Sequence, residues 1–459
     1  MELNQNIINK YGVDLKGPYY TSYPTLSEWT ENFSEIDFVK GLEVFCHSEN
    51  DNSFALYIHF PYCIKRCYFC ICNAYITNKK NVKQEILDYI FREIDLFSSF
   101  FEKHSYAPKI KEIHLGGGSP SCLDLDDFEL LIDKISELVD IKTLDEFALE
   151  IDPRTCDQEK MKYYATKGIN RISFGIQDFN PQVQEAVNRV QSTEMIEKLL
   201  VPDIRKNYLS INFDLMYGLP FQTRTSFQET IEVVKKFSPD RIALLRYAYV
   251  PHISKHMRLI DESKIVNNME KTKMFVETAH TLQDAGYDYI GIDNFAKPAD
   301  DLAKAFKNKT VWRNFVGFTT GRVQNMIGIG PSATTVMGDY YAQNVYDLSA
   351  YCKFGEGINF PIERGHKMSK DDIVRREVIF RLICDRTLGW EEIEEKYKIN
   401  HKKYFQHEIQ ALKPFINDDI INVSDGIIDI TSLGKYFVRH VCKIFDKYLR
   451  NKTYEMHGT

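Results

Sequence analysis

YIHFPYCIKRCYFCICN, residues 57–73, decides how this chain is read. Its first residues finish an apolar run that starts at Phe54, and the amphipathic stretch VKQEILDYIFREIDLFSSFF (82–101) follows it, so a strand feeds a cysteine loop and the loop feeds a helix. Within the loop Cys63, Cys67 and Cys70 have the spacing CxxxCxxC, and Cys72 follows. Ten cysteines in a chain with no export signal at its start point to metal ligands or reduced thiols rather than to a disulfide framework. Three thiolates are one short of a closed structural zinc site, which His59 or Cys72 would complete. A 4Fe-4S cluster held by three cysteines instead leaves one iron open. The paired CxxC spacing usual for zinc is absent, which favours the cluster, with Cys63, Cys67 and Cys70 as its ligands. Cys46, Cys122, Cys156, Cys352, Cys384 and Cys442 are scattered singly and read as buried thiols.

Outward from the loop, short strand-like runs at 54–59, 111–115, 146–151, 171–176, 210–216, 241–247 and 287–292 alternate with helix-like stretches. Examples of the latter are DDFELLIDKISELVD (126–140) and NNMEKTKMFVETAHTLQDAG (267–286), the second ended by Gly286. Six or seven consecutive βα units imply an α/β chain folded as a partial (β/α) barrel. Three domains follow: an N-terminal arm at 1–53; the barrel at 54–368, with WRNFVGFTTGR and MIGIGPSATTVMGDYYAQN as barrel-closing segments; and a mainly helical, winged-helix-like domain at 369–459, with a hairpin turn at Asp425-Gly426.

Polar residues along the strands mark the interior, because alternate strand residues share a face. Glu150 opposes Leu149 and Ile151; Ser173, Gly175 and Gln177 oppose Ile172, Phe174 and Ile176; Asn212 and Asp214 oppose Ile211, Phe213 and Leu215. Such groups near strand C-termini lie where a barrel builds its site. The glycines of KEIHLGGGSP, Gly116 to Gly118, allow a ligand to approach the backbone closely.

The remaining composition excludes several function classes. With 44% hydrophobic and 27% charged residues the chain is globular, no apolar run reaches membrane-spanning length, and the expected address is the cytoplasm. A net charge of −7 argues against general nucleic-acid binding.

The CxxxCxxC loop before a barrel resembles the signature of the radical S-adenosylmethionine (SAM) superfamily. That resemblance implies that the open iron chelates SAM, which is cleaved reductively to methionine and a 5′-deoxyadenosyl radical, and that the glycine run contacts the SAM amino group. GPYYTSYPT (17–25), the extension to Cys72, EIDPR, GIQDFN, Asn188-Arg189, DLMYGLP, RNF, YAQN, RREVIFRLIC and FDKYLR together resemble the oxygen-independent coproporphyrinogen III dehydrogenase (anaerobic coproporphyrinogen oxidase) family, nearly end to end. The resemblance implies oxidative decarboxylation of two propionates to vinyls in haem biosynthesis, giving protoporphyrinogen IX. It also implies a tetrapyrrole substrate, a flavodoxin- or ferredoxin-type electron donor, and one or two SAM molecules. Carried over by matching positions, Tyr57, Phe69, Gly117, Gly118, Ser119, Glu150, Gln177, Arg189, Asp214 and Ala248 contact SAM, and Tyr57 and Cys72 take part in catalysis.

Several positions depart from the family pattern. Tyr19 stands in place of an arginine, Ile71 of a glycine, Arg246 of an asparagine, Tyr249 and Asn294 of histidines, Val316 of a glutamine and Thr334 of an isoleucine. These changes spare the cluster and first SAM positions and gather on the substrate side. They leave open a paralogous methyltransferase or cyclopropanase that uses a second SAM on another acceptor; a haem chaperone is the less favoured third reading. The strand pattern places Arg246 on a face with Ile242, Leu244 and Ala248, so it is expected to enter the barrel and bind an acidic group.

Overall fold

The structure is a computed structural model that describes residues 5–12, 18–354, 357 and 359–449. Six strands, β1 (Phe54–Phe60), β2 (Ile110–Gly117), β3 (Glu146–Ile151), β4 (Arg171–Gln177), β5 (Ser210–Tyr217) and β6 (Arg241–Arg246), pair in parallel, each with the next in sequence. The cause is visible in their alternation. Ile113, Leu115, Phe147, Leu149, Ile172, Phe174, Ile211, Phe213, Ile242 and Leu244 are buried on one side of the sheet, in one core with the surrounding helices. From α1 (Lys80–Lys103), Ile86, Ile90, Ile94, Phe97 and Phe101 join that core at helical spacing. Truncating Phe97 to alanine is expected to cost about 3–5 kcal/mol. The alternate residues, among them Tyr57, His114, Glu150, Ser173, Asn212 and Asp214, face the opposite side, which is the barrel lumen.

After α2 (Asn268–Asp284) the expected seventh parallel strand takes another form. β7 (Asp288–Gly291) is separated from β6 by β8 (Asn294–Ala296), which pairs antiparallel with both. Ile292 and Asp293 take positive φ values of 32° and 68°, turning the chain back on itself, and β8 caps the barrel edge. Nor do the later segments close the barrel. β9 (Asn325–Ile329) pairs in parallel with the other edge of β1, and β10 (Thr334–Met337), β11 (Tyr340–Asn344) and β12 (Ile362–Lys367) continue antiparallel. The 12-stranded sheet is thus linear in order, extended from β1 and not bridged to β6.

Ser369 caps α3 (Lys370–Cys384) in a reciprocal box with Asp372. α4 (Trp390–Tyr397) follows β13 (Thr387–Gly389), a hairpin joins β14 (Ile421–Ser424) to β15 (Ile427–Ile430), and α5 (Val438–Phe445) comes last in this group. These elements share a second hydrophobic core with the N-terminal arm. Tyr11, Tyr20, Tyr23, Ile290, Trp312, Ile379, Leu388 and Phe445 belong to it. Tyr20 donates to Asp446 at 3.1 Å, and the Tyr23 hydroxyl accepts from Lys447 N–H at 3.2 Å, so the arm is clasped by the segment that follows α5. Among the described residues no helix is long and apolar enough to cross a membrane.

Candidate functional site

The cysteine loop leaves β1 at Pro61 and is drawn shut by a two-residue parallel ladder, Tyr62–Cys63 against Tyr75–Ile76. His59 Nε2 lies 2.9 Å from the Asn73 carbonyl, Tyr68 N–H donates to Val187 O at 2.9 Å, Asn188 donates to Arg66 O at 2.8 Å, and His256 Nε2 lies 2.7 Å from Cys70 O. Three separate segments, at His59, at Val187-Asn188 and at His256, therefore fix the loop. Cys67 is buried, Cys63 and Cys70 are half-buried, and Cys72 is exposed. Among the described residues no three His, Cys, Asp or Glu side chains converge as ligands of a single metal ion; in a four-iron cubane each thiolate takes a different iron.

Two guanidinium groups converge on Cys67. Arg154 Nη2 donates to its sulfur at 3.5 Å and Arg189 Nη1 at 3.4 Å. Asp152, 5% exposed, holds Arg154 through Nε at 2.9 Å and Nη2 at 2.6 Å, and Arg189 Nη1 at 3.5 Å. Burial raises the Asp152 carboxyl, but Arg189 and Arg154 together outweigh burial and hold it below its ordinary value. Cationic donors aimed at a sulfur suit a cysteine that ligates an iron–sulfur cluster. Arg189 spends its other nitrogens on the Gly175 carbonyl, at 3.0 and 2.6 Å, so it braces β4 as well as facing Cys67.

At the end of β2 the glycines are required. Gly117 has φ +107°, and a Cβ there would meet the His59 ring at 2.7 Å; a Cβ on Gly118 would meet the Tyr62 backbone at 2.6 Å. The bend aims Gly117 N–H at Glu150 Oε2, 3.3 Å away. Glu150 Oε1 lies 2.9 Å from His114 Nε2. Burial raises Glu150, yet the His114 contact, His114's charge and the Gly117 donor bring it below its usual value. Asp214 accepts from Ser173 at 2.8 Å and Asn212 at 2.7 Å; burial, then the Glu150 charge, push it up to about 6. Gln177, at φ 66°, has a buried Oε1 without a hydrogen-bond partner among the described residues. Below these groups the barrel is plugged. Glu146 binds Arg171 at 2.6 Å and Arg241 at 3.2 Å, and the remaining void, lined by Tyr57, Glu112 and His114, is about 10 Å³, room for one water.

Glu150, Gln177 and Asp214 thus meet in the lumen, with Tyr57, whose ring centroid is 5.9 Å from that of His114. Phe69 and Ala248 join Cys67 and Cys70 in one apolar cluster. Ser119 is turned away from this group, its hydroxyl 2.9 Å from Ser121 Oγ. Arg246 also departs from expectation. It pairs in register with Tyr217, while Asp214 pairs with Ala243, so Arg246 roots on the face away from the lumen and donates to Asn268 Oδ1 at 2.8 Å. The strand ends at Arg246, and Ala248, beyond it, does not share the strand's face. Sequence reasoning missed Asp152, Arg154 and His114; the motif EIDPR held the first two, and alternation with Glu112 and Gly116 was the signal for His114.

The residues fit a cluster and SAM. Paired guanidinium donors suit cluster thiolates. Two carboxylates and an unpartnered amide oxygen facing one lumen suit a ligand that carries a sulfonium and an ammonium.

A profile of the radical SAM superfamily matches residues 57–234. The oxygen-independent coproporphyrinogen III oxidase of Pseudomonas aeruginosa is 36% identical over 446 residues, covering 97% of this chain and 95% of its own length. That of Synechocystis is 35% identical over 458 residues, covering 99% and 97%. Among solved structures, the coproporphyrinogen III oxidase of Escherichia coli, a radical SAM enzyme, superposes with a TM-score of 0.89 at 34% identity, over 98% of this chain and all of that one.

Proposed function

This chain belongs to the oxygen-independent coproporphyrinogen III oxidase family, and from that premise we propose that it decarboxylates two propionates of coproporphyrinogen III to vinyl groups, giving protoporphyrinogen IX. It is a radical SAM enzyme of haem biosynthesis, with a 4Fe-4S cluster and SAM as cofactors. The observation that carries the substrate reading is that the likeness extends beyond the barrel to the arm and the C-terminal elements, which share the core beside the barrel mouth.

Cys63, Cys67 and Cys70 bind the cluster, with Arg154 and Arg189 donating to the Cys67 sulfur. Glu150, Asp214 and the Gln177 amide oxygen orient the cationic and hydroxyl groups of SAM, and the Gly117-Gly118 edge lets its amino-acid end approach the backbone. Bound there, cluster and SAM supply a carbon radical able to take a hydrogen atom from a propionate β-carbon. Phe69 and Ala248, packed in one apolar cluster with Cys67 and Cys70, exclude water from the face where that transfer takes place. A propionate that has lost the hydrogen releases carbon dioxide and passes one electron to an acceptor, leaving the vinyl group. A flavodoxin- or ferredoxin-type protein is the proposed electron donor. The chain divides on this reading at about residues 53 and 369, into arm, barrel and C-terminal unit.

Anaerobic incubation of reconstituted protein with SAM, a reductant and coproporphyrinogen III, followed by mass spectrometry, tests the reading. Two successive losses of carbon dioxide are expected. Transfer of a methyl group, or stoichiometric haem binding without SAM turnover, would replace it with the methyltransferase or the chaperone reading.

A further inference from the structure

Glu150 offers the lumen a carboxylate whose two oxygens are each engaged from β2. Oε1 lies 2.9 Å from His114 Nε2, and Oε2 accepts from Gly117 N–H at 3.3 Å. A carboxylate oxygen accepts more than one donor, so both oxygens keep lone pairs for a ligand, and the two N–H groups set the plane in which those lone pairs lie. The His114 contact is the shorter of the two.

The imidazole is itself held. His114 is buried, and the register places it level with Tyr57 on β1 and Ala148 on β3, with Arg171 on β4 level with Ala148 in turn. The Tyr57 ring lies beside it, 5.9 Å between centroids. Towards β4 only the methyl group of Ala148 intervenes, so Arg171 reaches across β3 and brings Nη2 to 3.5 Å from His114 Nδ1. A guanidinium can only donate. Nδ1 therefore faces a donor, the neutral ring keeps its proton on Nε2, and that proton points at Glu150.

Arg171 is tied down as well. Its Nε donates to Glu146 Oε1 at 2.6 Å, and Glu146 Oε2 accepts from Arg241 Nη1 at 3.2 Å. Arg241 Nε donates to Asp300 Oδ1 at 2.8 Å, and Asp300 Oδ2 accepts from Ser210 at 2.6 Å. The chain crosses the barrel floor with cation and anion alternating, so each charge is paired in a place where an unpaired one would be costly. Apolar side chains would plug the floor without the desolvation cost of four charges. What they could not do is hold an imidazole in one tautomer and one orientation beneath Glu150.

We propose that His114 is a positioning residue for SAM: its Nε2–H fixes the Glu150 carboxylate, and the Arg171–Glu146–Arg241–Asp300 chain fixes the imidazole. This deepens the radical SAM reading and rests on Glu150 being a ligand of SAM.

Two amide variants separate the ring nitrogens. The amide of His114→Gln reaches the position of Nε2 and can donate to Glu150. That of His114→Asn stops at the position of Nδ1, so it keeps an acceptor for Arg171 and leaves Glu150 without the donor. Equilibrium dialysis of the anaerobically reconstituted full-length protein measures SAM affinity, with iron content and the electron paramagnetic resonance spectrum of the reduced cluster recorded in parallel. His114→Asn is expected to weaken SAM binding about 10-fold, the scale of one hydrogen bond to a charged group, with iron content and the SAM-free spectrum preserved. His114→Gln should restore most of the affinity. Unchanged affinity in His114→Asn overturns the positioning role. Equal losses in both variants overturn it too, because ring volume and not the donor would then matter, as does loss of iron from either variant, which would make His114 a support of the cysteine loop. Glu150→Gln reports separately on the premise. If it leaves SAM affinity unchanged, Glu150 is not a ligand of SAM; weakened binding in Glu150→Gln with full affinity in His114→Asn refutes the positioning role alone.

Discussion

Arg154→Gln removes one of the two guanidinium donors aimed at Cys67 while leaving the backbone N–H that Asp152 accepts at 3.1 Å and the Arg189 donor at 3.4 Å in place. A hydrogen bond with a charged partner contributes about 1.5–3 kcal/mol. The electron added on reduction spreads over the whole cluster, so the lower end applies. The sign follows from charge: the reduced cluster is the more negative state, a cationic donor stabilises it, and removing the donor makes reduction harder. A tenfold change in a one-electron equilibrium is 59 mV, so about 1.5 kcal/mol lowers the midpoint potential by about 60 mV. Asp152, left with less neutralisation, pushes in the same direction. Redox titration followed by electron paramagnetic resonance, with iron content measured in parallel, reads the shift. Arg154→Lys should retain part of the potential. An unchanged or raised potential in Arg154→Gln protein with full iron content would refute the argument, because neither the lost donor nor the less neutralised Asp152 would then act on the cluster.

Three further outcomes are expected. Asp214→Ala should weaken SAM binding by roughly 10- to 100-fold, the range for losing a charged acceptor, with cluster absorbance intact; unchanged affinity by equilibrium dialysis would remove Asp214 from the site. Cys67→Ala should lose the cluster's absorbance, whereas Cys72→Ala, exposed and outside the CxxxCxxC set, should keep the cluster and change turnover; full loss of iron from Cys72→Ala would contradict this. Glu93, buried in α1, accepts from Gly330 N–H at 2.9 Å, Asn344 at 2.7 Å and Tyr351 at 2.6 Å, and burial raises it from 4.5 to about 7. Because the folded value is raised, its favourable contribution is complete below pH 4.5 and is lost as pH rises through about 7, a difference of about 3 kcal/mol that Glu93→Gln should abolish; equal pH dependence of urea midpoints in the two proteins would count against it.

Alternation made the lumen legible in the sequence. A period of two fixes which residues share a face, and Glu150, Ser173, Asn212 and Asp214 come together as that rule requires. The same rule misplaced Arg246, because the pattern read through to residue 248 while the strand stops at 246, and a face is defined only while the strand lasts. Periodicity is equally silent about direction: 287–292 has the pattern of another strand in the series, and nothing local reveals that the turn at Ile292 and Asp293 sends β8 between it and β6. Arg154 was hidden for another reason. It lies beyond the end of β3, and the local bonds from its N–H and its guanidinium to the Asp152 side chain fold it back towards Cys67.

The groups that generate the radical and those that meet the acceptor belong to different parts of the packing. Cys63, Gly117, Glu150 and Asp214 stand on or just after β1, β2, β3 and β5, whose outward faces are anchored in the barrel core. Tyr19, Arg313 and Arg439 ride on segments packed around the second core, which joins the arm to α3 and α5. Substitution around the second core can therefore alter the acceptor pocket without moving the strands that hold the cofactors.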